Sequence, residues 1–223
     1  MKRIIAQVML IMMAVVCCPI VNAETLTIQT ASNMFGIRGD YADTSQSTDT
    51  SIYAGNSTSI NLRGTGRFDF TALPAGATIT SAILSLYTYS RGLTPGETIS
   101  VYRVVRTDMA MSEVNWNSYK TGSSWASAGA SNTSTDITTT GSASATITGT
   151  NNTWSNIDIT TMTQWAQTNS SKILYLRLSL PETPEHYAGF WSSYYSADTA
   201  KRPKLVITYT PAISTFRPQI PIF

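Results

Sequence analysis

The chain has 223 residues, 42% of them apolar and only 13% charged, about half the usual charged share of a soluble domain. That balance supplies apolar surface for a core and excludes a chain kept unfolded by its own charge. Of the 15 Lys and Arg, two lie in the leader described next, leaving 13 against 13 Asp and Glu; a neutral mature chain is no nucleic-acid binder working by bulk charge.

Lys2 and Arg3 form a basic start, Ile4 to Val16 is an apolar run broken by Gln7, and Val21-Asn22-Ala23 offers a small-residue cleavage site. The pattern predicts a signal peptide over 1–23 and a secreted, extracellular or cell-surface protein. Cys17 and Cys18 fall inside it. The mature chain is therefore expected to have no disulfide, thiolate metal site or cysteine nucleophile. Outside the leader no apolar run nears the ~20 residues of a membrane-spanning helix.

Gly, Ser, Thr and Asn then punctuate short apolar runs, the rhythm of an all-β chain. Leu26 and Ile28 begin a strand, Ile60 and Leu62 mark another, and Arg67-Phe68-Asp69-Phe70 alternates. Arg67 and Asp69, opposite the two Phe, read as a structural ion pair. Ile79 to Tyr89 reads as a long strand with Leu84 and Leu86 on one face. Ile99 to Val105 alternates, Thr121 to Thr153 reads as a long loop or flat hairpin with Ser142 to Thr148 a candidate strand, and Ile157 and Ile159 share a face. Met162, Trp165 and Ala166 give the one helical spacing, over Thr160 to Thr168 with Thr160 or Thr161 as cap. Leu174, Leu176, Leu178 and Leu180 carry the clearest period of two, and Leu205, Ile207 and Tyr209 close the pattern. The expected fold is all-β: an antiparallel two-sheet jelly-roll β-sandwich over 24–210, with one short helical turn plugging an end. Pro211, Pro218 and Pro221 make 211–223 an extended tail, a candidate for docking a protein partner.

Six segments in order resemble one family. Arg67-Phe68-Asp69-Phe70-Thr71-Ala72-Leu73-Pro74-Ala75-Gly76-Ala77-Thr78-Ile79 is the longest. Ser81 to Tyr87, Ser100-Val101-Tyr102-Arg103-Val104, Glu113-Val114-Asn115-Trp116-Asn117, Ile157 to Thr160 with Gln164-Trp165, and Ser192-Ser193 with Arg202 to Tyr209 follow. Together they resemble the secreted DNRLRE domain, also met as the disaggregatase-related domain and carbohydrate-binding module family 96. The resemblance implies a jelly-roll used as a non-catalytic module, in some members for binding acidic or neutral polysaccharide. Two departures stand out. Gly64-Thr65-Gly66 replaces apolar residues and is expected to loosen that strand, and Met109 or Met111 stands where the family tends to have Trp.

Catalytic constellations are sparse. The single His, His186, has no nucleophile-elbow G-x-S-x-G to serve, and Glu182 and Glu185 flank Pro184 in what reads as a solvated turn. No enzyme activity is expected. Asp40, Asp43 and Asp49 form an oxygen-rich segment, a candidate structural Ca²⁺ site set against a plain polar turn. The best physical case is glycan binding. Tyr187, Phe190, Trp191, Tyr194 and Tyr195 crowd one short segment. On an extended strand Phe190 and Tyr194 share one face and Trp191 and Tyr195 the other; one set fills the core while the other offers a flat platform to a sugar ring, set against aromatics that pack both sides of a covered strand. Arg38, Arg63, Lys201 and Arg202 are candidates to meet uronate carboxylates. The leading expectation is a secreted polysaccharide-binding module. A structural surface or matrix protein and a small polysaccharide-degrading enzyme are the alternatives.

Overall fold

A computed structural model describes residues 22–29, 33–91, 97–147 and 151–212. The leader up to residue 21 and the tail from 213 lie outside the described residues. In chain order come β1 (Glu24–Ile28), β2 (Asn33–Arg38), β3 (Ser51–Ser57), β4 (Ile60–Asp69), β5 (Thr78–Arg91), β6 (Thr98–Val104), β7 (Ser118–Lys120) and β8 (Ser123–Ser124). After them come β9 (Ile137–Thr146), β10 (Thr153–Asp158), α1 (Thr160–Asn169), β11 (Ile173–Ser179), β12 (Tyr187–Trp191) and β13 (Lys204–Thr210).

The strands pair antiparallel in the order β1-β13-β5-β12-β3-β4-β11-β6-β9, with β10 added to β5 and β2 to β4. The expected sandwich is present, but its layers are one curled sheet rather than two separate ones. The β3–β4 hairpin makes the join, because β3 follows β12 in one layer and pairs with β4 of the other only beside the turn, at Gly55 with Leu62, Asn56 with Asn61 and Ser57 with Ile60. The β3–β4 hairpin turns on Thr58 and Ser59, both at positive φ (52° and 68°), the backbone hand that suits two-residue hairpins.

Alternation decides what faces inward. Phe68, Phe70, Leu84, Leu86, Leu174, Leu176, Leu178, Leu180, Leu205 and Ile207 all lie in one buried cluster between the layers. Burying each such side chain is worth about 1.5–3 kcal/mol. The two unexpected glycines belong here. A Cβ on Gly64 would lie 2.9 Å from both Ile52 and Leu178, and one on Gly66 would lie 2.4 Å from Met34. The glycines therefore do not loosen β4; they leave room for large neighbours in a close-packed core.

Helix α1 closes one end, with Met162 and Ala166 in the core and Arg103 lying 3.5 Å over the Trp165 ring. Neither Thr160 nor Thr161 caps it. The Thr160 hydroxyl donates to Asp158 and accepts from the backbone N–H of Ala82, so it ties the helix start to β5 instead. The polar stretch 121–153 holds β9 from Ile137, with Ile137 buried.

A second cluster lies on the outer side of β2, β11 and β6. Phe35, Ile37, Tyr175 and Val104 meet Met109, Met111, Val114, Trp125 and Ala130 from the segment 105–136. That segment is a cover, held by turns. Asp136, 0% exposed, accepts hydrogen bonds from the backbone N–H groups of Ala126, Ser127 and Asn132 at 2.8, 3.0 and 3.2 Å. Asn115 Oδ1 likewise accepts from Asn117 and Ser118. The methionines standing in place of an aromatic are thus cover residues, not platform residues.

Candidate binding face

On the layer that carries β5, β12 and β3, the outward residues are aromatic. Tyr53 points out between buried Ile52 and Ala54, and Tyr87 and Tyr89 point out around buried Thr88. Trp191 follows buried Phe190 at the end of β12. Gly189 sits on β12 between Tyr53 and Tyr89, where a Cβ would lie 3.0 Å from one ring and 3.2 Å from the other. Its missing side chain lets the tyrosines meet across the strand. Tyr89 Oη donates its one proton to Tyr53 Oη at 2.6 Å and accepts from Ser51 Oγ at 2.9 Å.

The rings form a ladder. Tyr187 packs edge-on to Tyr53 at 6.1 Å, and Tyr53 edge-on to Tyr89 at 6.2 Å. Tyr89 stacks on Trp191 at 3.9 Å, and Trp191 on Tyr195 at 3.8 Å with only 5° between planes. All five rings are half-buried. Burial holds the Tyr89 phenol well above the ordinary tyrosine range, so it remains a neutral donor at physiological pH. Beside the ladder, Tyr87 meets Trp154 of β10 at 5.2 Å, with Lys201 over Tyr87 and Lys204 over Trp154.

The predicted site residues divide into two groups. Tyr187, Trp191 and Tyr195 do come together. Trp191, however, is not a free platform, because Tyr89 and Tyr195 cover both its faces; the outward side belongs to Tyr195. Arg38 borders a depression of about 300 Å³ with Tyr53 and Tyr187. It is held by Asp40 through Nε and Nη2 at 2.9 and 2.6 Å, and that bonding keeps the Asp40 carboxyl below the usual aspartate value. Lys201 pairs with Asp198 at 3.2 Å beside the ladder. Arg202 supports the ladder from behind, donating from Nε to the Tyr195 carbonyl at 2.6 Å.

Three expectations are corrected. Arg63 does not reach a ligand. It is 8% exposed beneath the cover, bound to both oxygens of Glu182 and to the Gly129 carbonyl, with Trp116 against its guanidinium. Alternation placed it outward, but the cover then buried that face. Asp40, Asp43 and Asp49 do not converge, and among the described residues no acidic or His/Cys group of three could hold a metal. Asp40 serves Arg38, and Asp43 accepts from Asn117 Nδ2. Tyr194 does not join Phe190 in the core and is 56% exposed. Pairing stops at Trp191, and Ser192 turns the chain by donating from its hydroxyl to Asp49 and accepting from the Tyr194 N–H.

Sequence reasoning missed Tyr53, Tyr87, Tyr89, Trp154 and Lys204. The signal was present in Tyr87-Thr88-Tyr89, whose alternation puts both rings on the face opposite Leu86. A family model described as the disaggregatase related repeat domain matches residues 36–207. A search of curated proteins found no match.

Proposed function

We propose a function from the premise that the chain belongs to the disaggregatase related repeat family: it is an extracellular, non-catalytic module whose aromatic ladder binds polysaccharide. The stack of Tyr89, Trp191 and Tyr195 on a solvent-reaching sheet face carries this reading. The outer face of Tyr195, backed by Trp191, gives the apolar C–H side of a sugar unit a surface, while the phenol and indole edges along the stack supply hydrogen bonds. Arg38 and Lys201 flank the row, so carboxylate-bearing sugars gain charged partners as well.

The non-catalytic part rests on the sequence, which has no G-x-S-x-G nucleophile elbow for a histidine to serve. His186, the single histidine of the sequence, is tied through Nδ1 to Glu97 at 2.8 Å. Extracellular placement rests on the leader pattern, and N-terminal sequencing of protein from a secreting host is expected to begin at Glu24. Binding is tested by affinity electrophoresis through gels carrying acidic and neutral polysaccharides. The expected result is retardation of the parent protein, with Tyr195→Ala and Trp191→Ala weakening it about three- to tenfold at unchanged circular dichroism. Unretarded parent protein across the panel, or variants retarded as strongly as the parent, would overturn the reading.

A further inference from the structure

We propose that the Tyr89–Trp191–Tyr195 stack is a one-electron oxidation site, and that it makes Tyr195 the point at which two copies of this chain become covalently joined. The proposal rests on ring geometry and not on glycan binding. Neutral aromatic rings prefer edge-on or offset contacts with centroids ~4.5–7 Å apart, because full overlap sets one electron-rich face against another. Four other ring pairs keep to that rule: Tyr53–Tyr89, Tyr53–Tyr187, Tyr87–Trp154 and Tyr119–Trp125 meet with planes 54° to 83° apart. Trp191 does not. Its ring centroid lies 3.9 Å from that of Tyr89 and 3.8 Å from that of Tyr195, with planes only 10° and 5° apart. Two electron-rich faces thus press on one indole. The arrangement is unfavourable while the indole is neutral and becomes stabilising once it carries positive charge, because a ring face attracts a cation. Loss of one electron gives Trp191 that charge.

Protons decide where the oxidation goes next. Tyr89 cannot keep it: burial holds that phenol above the ordinary range, and its proton is committed to the Tyr53 hydroxyl, a neutral group that is no base. Tyr195 stands on the turn after β12, half-buried, with one ring face on Trp191 and the other toward solvent, so water takes its proton. The oxidant is a one-electron acceptor such as the ferryl iron of a peroxidase charged with hydrogen peroxide. It takes an electron from the stack, and the charge settles on Trp191. Tyr195 then gives an electron to the indole and its phenol proton to water, which restores Trp191 and leaves a tyrosyl radical. Two such radicals on two copies form one carbon–carbon bond between ring positions ortho to the hydroxyls. Each joined carbon passes its hydrogen, as a proton, to the oxygen of its own ring, and both rings are aromatic again. Two electrons have gone to two equivalents of oxidant and two protons to water. No cysteine lies between residues 24 and 223 to intercept the oxidation.

Treatment with a peroxidase and hydrogen peroxide, and separately with a light-driven ruthenium–bipyridyl oxidant and persulfate, tests this. The expected product is a dimer that survives denaturing electrophoresis, fluoresces as dityrosine and yields a Tyr195–Tyr195 linked peptide by mass spectrometry. Tyr41 and Tyr194, 50% and 56% exposed, are the controls, since exposure alone would select them. The dimer is expected to be lost in Tyr195→Phe and kept in Tyr41→Phe and Tyr194→Phe. Trp191→Phe keeps Tyr195 but removes the indole, and should form the dimer at least about fivefold more slowly at parental circular dichroism. In Tyr195→Phe the oxidation has nowhere to go, so freeze-quenched samples should show a tryptophan radical by electron paramagnetic resonance. No covalent dimer, links through Tyr41 or Tyr194, a Trp191→Phe that dimerises at the parental rate, or no tryptophan radical in Tyr195→Phe would overturn the inference. Polysaccharide retardation is read on unoxidised protein, so either proposal can fail while the other stands.

Discussion

The two outer faces of the sandwich start from the same rule and end differently. On the layer of β5, β12 and β3, outward positions hold Tyr53, Tyr89 and Trp191, whose rings are apolar and whose edges are polar; they remain half-buried. On the layer of β4, β11 and β6, outward positions hold Arg63, Thr65, Tyr175 and Arg177, and the segment 105–136 covers them until each is 9% exposed or less. Amphipathic rings tolerate water on one side and need no cover. Phe35 and Ile37, outward on β2, do need one, and the cover that serves them also buries two arginines. Burial and the neighbouring Arg63 charge push the Arg177 guanidinium down to about 10, still charged at neutral pH. The lesson is that one face is built for stability and the other is left available for contact.

The largest effect should come from breaking the cover. Asp136→Ala leaves three backbone N–H groups without their carboxylate, a loss of ~3 kcal/mol or more. Urea unfolding should show it, and limited proteolysis should cut within 105–136 while ladder-dependent retardation persists. Uncut protein of parental stability would refute the idea that Asp136 locks the cover. Glu182→Ala comes next, at ~2–3 kcal/mol, because it strands the buried Arg63 beside Arg177. Adding Arg63→Met should restore most of that loss, since removing both charges also removes the penalty; a double variant no more stable than the single one would contradict it.

How much of this was legible in the sequence follows from the range of each signal. The inner core was readable because Leu174 to Leu180 and Phe68 with Phe70 carry a strict period of two. The cover was not, because Met109, Val114, Trp116 and Trp125 fall at no period and depend on turns tied by Asn115 and Asp136. Three of the five ladder rings were readable because Tyr187, Trp191 and Tyr195 are close in the chain. Tyr53 and Tyr89 join it only through strand register, with Gly189 opposite Tyr53 on one side and Ser90 on the other. Arg63 misled because alternation shows which way a side chain points, not whether another segment later lies on it.

On the ladder side, Gly189→Ala should cost ~1 kcal/mol, as its Cβ crowds Tyr53 and Tyr89 at 3.0 and 3.2 Å. The Tyr89 to Tyr53 hydrogen bond should be lost and polysaccharide retardation weakened, with the cover resistant to protease as before. A variant that binds like the parent would show that the ladder's alignment across β12 does not matter for binding.

The smallest effect is an acid one, and it compares one carboxylate from each side. Asp40, beside the ladder, is held below the ordinary value of 3.8 by its hydrogen bonds from Arg38. Asp69, on the covered layer, is held below it by the Thr71 hydroxyl and N–H, with Arg67 adding less. In both cases the folded protein binds fewer protons than the unfolded chain. Their stabilisation is thus fully present above the unfolded value and lost as pH falls through it toward the lower folded value. Solvent screens both pairs, so each contribution is small. Urea midpoints taken from about pH 6 to about pH 3 should fall less steeply in Asp40→Asn and Asp69→Asn than in the parent. Asp69 should carry more of the slope, because it accepts from two separate residues where Asp40 depends on one. A parental slope in both variants would show that neither carboxylate is linked to folding in this window.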